Sequence, residues 1–301
     1  MDETWPFFSI IVPTYGRPRQ LEACLRALAD LDYARDRFEV IVVDDGSENS
    51  PEATAASFAD RLDLTYVRQS HAGPAAARNS GARLAKGELL AFTDDDCAPA
   101  RGWLRGLASR LAQMPGHAVG GRTLNALPWN PYSTASQSLV TYLYAYYNAD
   151  PARPSFFASN NLVLPADRFQ AIGGFDTVYT CSAAEDRELC DRWLQHGYRM
   201  AYAPEAVVHH AHPLSLRTFL CQHFDYGRGA FRFREARATR ARGRIKVEPF
   251  SFYLRLLAYP YAMAGEARRS ALAALLLVSQ MANAVGFLCE GARRMAERLA
   301  Q

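Results

Sequence analysis

The chain has 301 residues, 49% of them hydrophobic and 22% charged. That composition gives a globular protein with a substantial core and excludes a disordered or fibrous one. The net charge of +3 is too small to point to nucleic acid by itself. Phe7-Phe8-Ser9-Ile10-Ile11-Val12-Pro13 is a β-rich run stopped by proline. Arg19 to Leu31 carries Leu21, Cys24, Leu25 and Leu28 at helical spacing. Phe38 to Val43 predicts a second buried strand, closed by Asp44-Asp45-Gly46-Ser47. Ser50 can cap the next helix, with Pro51 at its first position. Leu64 to Val67 predicts a third strand, and Gly73 to Gly87 a helix of small residues around Ala75-Ala76-Ala77-Arg78-Asn79.

Leu89-Leu90-Ala91-Phe92 then predicts a buried strand that runs into Thr93-Asp94-Asp95-Asp96. Three adjacent carboxylates repel by roughly a kcal/mol or more per close pair. Water on a surface loop or a divalent cation could offset that, and carboxylate oxygens suit Mg²⁺ or Mn²⁺. Strands alternating with helices imply right-handed βαβ units and a mostly parallel sheet. Ligands of such sheets bind at the carboxyl ends of the strands. Pro13-Thr14-Tyr15, Asp44-Asp45 and Asp94-Asp95-Asp96 all fall at those ends and should converge on one crevice. No G-x-G-x-x-G follows the first strand and no G-x-x-x-x-G-K-[ST] occurs, which argues against a dinucleotide oxidoreductase and a P-loop NTPase.

The second half is less regular. Val119-Gly120-Gly121-Arg122 suggests a strand and turn. Tyr132 to Tyr147 holds four closely spaced tyrosines and reads as an amphipathic segment packed on the sheet, or as a sugar or lipid contact. Phe156 to Leu164 looks like a strand with a polar interruption, and Gly173-Gly174-Phe175-Asp176 like a turn. A helix begins near Ala184-Glu185-Asp186 and closes at Gly197. A last strand, Met200 to Val208, leads to His209-His210-Ala211-His212-Pro213. The six cysteines, Cys24, Cys97, Cys181, Cys190, Cys221 and Cys289, form no C-x-x-C pair, so reduced thiols and a cytosolic compartment are expected. Met1 to Trp5 lacks a basic region followed by an apolar core, so no signal peptide is expected.

Taken in order, Ser9–Tyr15, Val42–Ser47, Ala77–Gly81, Ala85–Glu88, Thr93–Asp96, Gly173–Asp176 and Glu185-Asp186 resemble the family 2 glycosyltransferases over about residues 7–230. The resemblance implies a GT-A fold, a Rossmann-like α/β architecture with a mostly parallel central sheet. It divides the chain into a catalytic domain, 1–225, with a nucleotide-binding half (1–100) and an acceptor half (101–225), and a C-terminal helical extension, 226–301. It implies an inverting transfer of a sugar from a UDP-, dTDP- or GDP-linked donor to a hydroxyl of a glycan or lipid-linked acceptor. The residues it implies for the metal, Mg²⁺ or Mn²⁺, are Asp96, Asp94 and His210, with His212 near the diphosphate. Donor contacts fall on Pro13, Thr14, Tyr15, Arg17, Asp44, Asp45, Arg78, Asp94 and Asp95. Asp186 corresponds to the general base, aided by Glu185, and Asn160, Asn161 and Trp193 to acceptor contacts. Processive members carry Gln-x-x-Arg-Trp; here Leu189 stands at the glutamine position before Arg192-Trp193, so a non-processive enzyme is expected. Two rivals stay open on sequence: a nucleotidyltransferase, and a degenerate, non-catalytic transferase that assembles a membrane complex.

Arg228 to Lys246 holds eight basic residues against Glu235, a local charge of +7, with Phe231 and Phe233 interleaved. A membrane surface, a solvated or dimerising hairpin, and nucleic acid all fit that pattern. Phe250 to Leu254 and the charge-free stretch from Ala271 to Cys289 favour the membrane, and with it a place at the inner face of the cell membrane.

Overall fold

The computed structural model describes residues 5–180, 183–262 and 268–300. Met1–Thr4, on which the signal-peptide expectation rests, and Cys181 lie outside them. The first elements are β1 (Phe8–Thr14), α1 (Pro18–Ala29), β2 (Phe38–Asp44), α2 (Glu52–Ala56), β3 (Leu64–Arg68), α3 (Pro74–Leu84), β4 (Leu89–Phe92) and β5 (Cys97–Pro99). There follow α4 (Trp103–Gln113), β6 (Ala118–Asn125), α5 (Pro131–Tyr147), β7 (Leu162–Pro165), α6 (Ala166–Ala171), α7 (Glu185–Gln195) and β8 (Met200–His210). The chain ends in three helices, α8 (Leu216–Arg240), α9 (Phe250–Ala262) and α10 (Arg269–Leu299).

The strands form one eight-stranded sheet in the order β3-β2-β1-β4-β7-β6-β8-β5. β1 pairs in parallel with β2 and β4, β2 with β3, and β6 with β8. β7 runs antiparallel between β4 and β6, and β5 antiparallel beside β8. Both faces of the first strands are covered, which is why they read as apolar runs rather than alternations. Ile10, Val12, Val40 and Val42 pack with Leu21, Leu25 and Leu28 of α1. Ile41 and Val43 pack with Ala77 of α3. A Cβ at Gly81 would lie 2.6 Å from Ile11 Cγ2 and 3.3 Å from Val43 Cγ2, so the small-residue helix is what lets α3 lie so close to the sheet.

The expected strand over 156–164 is shorter than its pattern. A 3-10 turn, Ser159–Asn161, replaces its middle, and only Leu162–Pro165 joins the sheet. The sequence 119–122 is not a strand and turn but the centre of β6, which shifts register against β8 between Gly121 and Arg122. Pro51, not Ser50, stands at the cap position of α2.

The fold divides into two compact units. One comprises 1–126, 147–180 and 186–211 and holds the whole sheet. The other comprises 127–146, 181–185 and 212–301. The tyrosine-rich segment, as far as Tyr146, belongs with the second. Leu139 and Tyr142 of α5 are buried with Phe252 and Leu256 of α9 and Leu276 of α10. Its aromatic rings supply apolar area, and the facing rings of α9 are what accept it; Tyr142 also donates to the Phe252 carbonyl at 2.8 Å.

Most of the basic stretch is the second half of α8. Arg228 and Arg232 donate to the buried carboxylate of Glu290 on α10 at 3.1 and 2.7 Å, and Arg293 joins them. These donors outweigh burial and hold the Glu290 carboxyl down at about 2. α8 and α10 approach closely at Gly227 and Gly286, where a Cβ would collide with the carbonyls of Asn283 and Phe224. His223, also on α8, is fully buried between Phe219 and Tyr226, with ring centroids 4.4 and 5.4 Å away.

Neither ring nitrogen of His223 has a hydrogen-bond partner among the described residues, and burial pushes its pKa down to about 4. The neutral ring is therefore favoured on folding. Above pH 6.5 it costs nothing, because the unfolded ring is neutral too. Between pH 6.5 and about 4 the unfolded state takes up a proton that the folded state refuses. Urea unfolding should show stability falling across that window by up to about 3 kcal/mol. In His223→Leu the fall over pH 6.5–4.5, above the main carboxylate range, should be visibly flatter; an unchanged slope would remove His223 as its source.

Candidate active site

The carboxylate triplet sits where β4 ends and β5 begins. Cys97 of β5 is paired with His210 of β8, and the Asp96 carbonyl accepts the Ala211 amide at 2.8 Å. This backbone pairing sets Asp96 against His210. The His210 Nε2 lies 3.2 Å from Asp96 Oδ1, with both side chains largely buried. Burial alone would lower the pKa of His210, but the Asp96 and Asp94 carboxylates outweigh it and raise it.

Cations of the chain itself meet part of the triplet's charge. Arg17 Nη1 reaches Asp96 Oδ2 at 3.1 Å and Asp95 Oδ1 at 3.4 Å. Arg78, almost fully buried, reaches Asp94 Oδ1 at 2.7 Å and rests over the Phe175 ring. Asp95 is buried and accepts from Thr14 Oγ1 at 2.8 Å. Burial pushes its carboxyl up to about 7, with Arg17 and Thr14 opposing the shift and Asp96 and Asp94 adding to it. Asp95 thus ties the end of β1 to the loop and is not an exposed donor contact. Asp94 is directed to Arg78, so of the three expected metal ligands it is Asp96 and His210 that meet.

At the end of β2 the two aspartates divide. Asp44 is fully buried and accepts from the Ser47 amide and hydroxyl and from the Tyr66 hydroxyl at 2.8 Å. It has no surface to offer a donor and serves to shape the turn. Pro13 is similarly buried inside β1. Asp45 shapes the neighbouring loop: Oδ1 accepts from Gln69 and the Ala72 amide, and Oδ2 from the Gly73 amide and His71 Nδ1. His71 in turn lies against Tyr15, with ring centroids 4.4 Å apart and both side chains about half exposed. The Asp45 amide donates to the Thr14 carbonyl, so the Asp45 loop and the triplet are joined through one turn of β1.

On the acceptor side the sequence expectations separate. Asp186 is half-buried in the first turn of α7 and accepts the Arg187 amide at 2.7 Å; Glu185 beside it is buried. Carboxylates suit that turn, where unpaired amides carry positive potential. Ala184, just before it, has φ +70°, a left-handed conformation that L side chains avoid. Asn160 is half-buried and accepts from Thr123. Asn161 and Trp193 are corrected: both are fully buried in the core. Asn161 accepts from Trp103 Nε1 at 2.8 Å and donates to the carbonyls of Arg122 and Ala206, filling the register shift between β6 and β8. Trp193 donates to the Arg199 carbonyl at 2.8 Å.

Other residues were hidden from sequence reasoning. Asn79 exchanges two hydrogen bonds with the backbone of Phe175, each 2.8 Å, pinning the Gly173-Gly174 turn to α3. Arg192 is paired with Glu188 and donates to the carbonyls of Ile172 and Gly174, holding the same turn from α7. Arg187 donates to the Tyr147 hydroxyl and lies 4.7 Å from its ring centroid. Partners 96, 20 and 40 positions away leave no local pattern. The described cysteines are all free thiols.

The profile of the family described as Glycosyl transferase family 2 matches residues 9–171, more than half of the chain. The chain belongs to glycosyl transferase family 2. A second profile, Glycosyl transferase family group 2, matches residues 91–289. Among family 2 relatives, glycosyltransferase AglE of Haloferax volcanii is 27% identical over 233 residues, 76% of this chain and 74% of its own length. Validoxylamine A glucosyltransferase of Streptomyces hygroscopicus is 33% identical over 230 residues, 67% of this chain but only 54% of its own. Pre-mycofactocin glycosyltransferase of Mycobacterium tuberculosis is 29% identical, and the match covers 46% of it. The chain thus spans about half the length of the last two. Among solved structures, the mannosyltransferase PcManGT of Pyrobaculum calidifontis, in complex with GDP-Man and Mn²⁺, superposes with a TM-score of 0.67 at 22% identity, covering 93% of this chain and 88% of that one. Residues 1–349 of S. aureus TarS, in complex with UDP-GlcNAc, give 0.53 at 17% identity, covering 96% and 92%. The fold is GT-A, as the resemblance implied.

If Asn161 is structural, Asn161→Ala strands the Trp103 indole N–H and two buried carbonyls. Urea unfolding should then report a loss of about 3 kcal/mol or more. A variant as stable as the parent would return Asn161 to the acceptor side.

Proposed function

We propose that this family 2 enzyme is a metal-dependent, inverting and non-processive transferase. It moves a sugar from a UDP-, dTDP- or GDP-linked donor to a hydroxyl of a glycan or lipid-linked acceptor at the inner face of the membrane. The observation that carries the reading is the meeting of Asp96 and His210, 114 positions apart in sequence and brought together by the Cys97–His210 pairing at the β5–β8 edge. A carboxylate oxygen and an imidazole nitrogen suit Mn²⁺ or Mg²⁺, which then keeps positions for phosphate oxygens. Bound there, the ion supplies Lewis-acid stabilisation of charge on the departing diphosphate. PcManGT, solved with GDP-Man and Mn²⁺, and TarS, solved with UDP-GlcNAc, support a diphospho-sugar donor and leave the base open.

The chain's own residues do the rest. Arg17 and Arg78 fix the acids so that Asp96 keeps its place beside His210. Thr14, Tyr15 and Asp45 line the base end. Both Asp45 oxygens already accept two hydrogen bonds each, so a base N–H reaches that carboxylate when the exposed His71 swings away. Asp186 takes the proton of the attacking hydroxyl as general base, in line with the bond to the diphosphate, while Glu185 steadies the first turn of α7 and Asn160 faces the acceptor. Leu189, buried where processive members carry glutamine, supports a single transfer per encounter.

A thermal-shift screen of UDP-, dTDP- and GDP-sugars with and without Mn²⁺ tests the site. A bound donor should raise the melting temperature by mass action, more so with Mn²⁺, and Asp96→Asn should abolish the Mn²⁺-dependent part. Asp186→Asn should keep the donor-induced shift while transfer falls about 10²–10⁴-fold. Full activity in Asp186→Asn would place the base elsewhere, and a shift indifferent to Mn²⁺ would remove the metal.

A further inference from the structure

Charge is segregated along this chain. Residues 212–301 hold fifteen Lys and Arg against six Asp and Glu, a net +9, while residues 1–211 hold nineteen against twenty-five, a net −6. In the same C-terminal segment, α10 is the helix among the described residues that is long and apolar enough to cross a membrane. Its charge-free run, Ser270 to Cys289, has the length a span needs. Its two faces, however, differ sharply. Leu272, Leu276, Ser279, Gly286 and Glu290 are buried. Leu277, Met281, Val285, Leu288, Met295 and Leu299 are 49–84% exposed. At 3.6 residues per turn those six lie within an arc of about 80°, a stripe about 33 Å long.

The buried face decides between crossing and lying flat. It is locked to α8 by the close approaches at Gly227 and Gly286 and by the Arg228 and Arg232 bonds to Glu290. α8 also carries Arg217, Asp225, Arg234, Glu235, Arg237 and Arg240. Taking α10 into hydrocarbon would draw Glu290 and its arginine partners in with it, or break buried ion pairs. The same C-terminal segment also exposes the basic residues Arg242, Arg244, Lys246, Arg255 and Arg268, and α9 adds Phe250, Leu254 and Tyr261 to the exposed apolar set.

We propose that α10 docks flat on an anionic lipid surface, its Leu277–Met281–Val285–Leu288 stripe in the headgroup boundary, with exposed basic residues of the same segment on lipid phosphates. This rests on the membrane-side placement proposed above and specifies its mode. A second copy of the chain fits the stripe less well, because pairing it would bring two segments of +9 together, whereas an anionic surface attracts both features at once.

Flotation of the full chain with vesicles tests it. Vesicles of equal parts phosphatidylglycerol and phosphatidylcholine should bind the protein about tenfold or more tightly than pure phosphatidylcholine, and added salt should release it. The double variant Met281→Glu/Leu288→Glu, changed only at exposed positions, should lose binding about tenfold or more while its circular dichroism and melting temperature stay those of the parent. Equal binding to both vesicle types, or undiminished binding by the double variant, would overturn the proposal. So would protein that survives a sodium carbonate wash of the vesicles, the mark of a spanning helix. A lipid-free dimer by light scattering that the double variant turns into monomer, with no vesicle binding by the parent, would assign the stripe to a second copy instead. Vesicle binding is read without donor, so its failure and a failure of the donor site are separate results.

Discussion

The constraint on which this site depends is the crowding of like charge at the end of β4. Three consecutive carboxylates cannot be held in a buried turn unless something pairs with each. Here Arg17 stands between Asp95 and Asp96, Arg78 covers Asp94, and His210 faces Asp96. Each partner comes from a different element: the loop after β1, α3, and the end of β8. Neutralising the turn therefore also fastens together three parts of the sheet's carboxyl edge. The same contacts explain why the middle aspartate is spent on structure: it is the one enclosed by Thr14 and Arg17, and burial raises the cost of keeping its charge.

A similar economy holds on the other side. The Gly173-Gly174 turn is clasped by Asn79 from α3 and by Arg192 from α7, so the helix bearing Asp186 and the helix bearing Arg78 are referenced to one short segment of backbone. Asn161 does comparable work inside the sheet, where β6 and β8 fall out of register. Asn79, Arg192 and Asn161 are thus positioning residues.

The strands β1, β2 and β4 were legible because strands covered on both faces must be apolar throughout, and the acids after them were legible because such runs end where ligands bind. The ends of β6 and β7 were not, since a register shift and a 3-10 turn are settled by Asn161, which looks in sequence like any polar interruption. Asn161 and Trp193 belong to types that serve equally in cores and in sugar sites, and only burial separates the two uses. The tyrosines of α5 announced that rings would be buried but not against what; the facing rings lie about a hundred residues later, on α9. Charge was the least transparent. Arg228 and Arg232 look like free positive patches until Glu290, some sixty residues on, comes back to meet them.

β5 is only three residues long and finds its partner at the far end of the sheet's sequence. A pairing so short, closing so long a loop, is slow to form and weak until its surroundings are in place. During synthesis the first strands and helices can collapse around α1 and α3 while β8 is still unmade, and the acid turn then lacks its histidine. The order of assembly thus makes the site a late product of the chain: a fragment ending before residue 210 can look folded by its core and still have nothing with which to complete the Asp96 pair. Competence arrives with the last strand rather than accumulating with length.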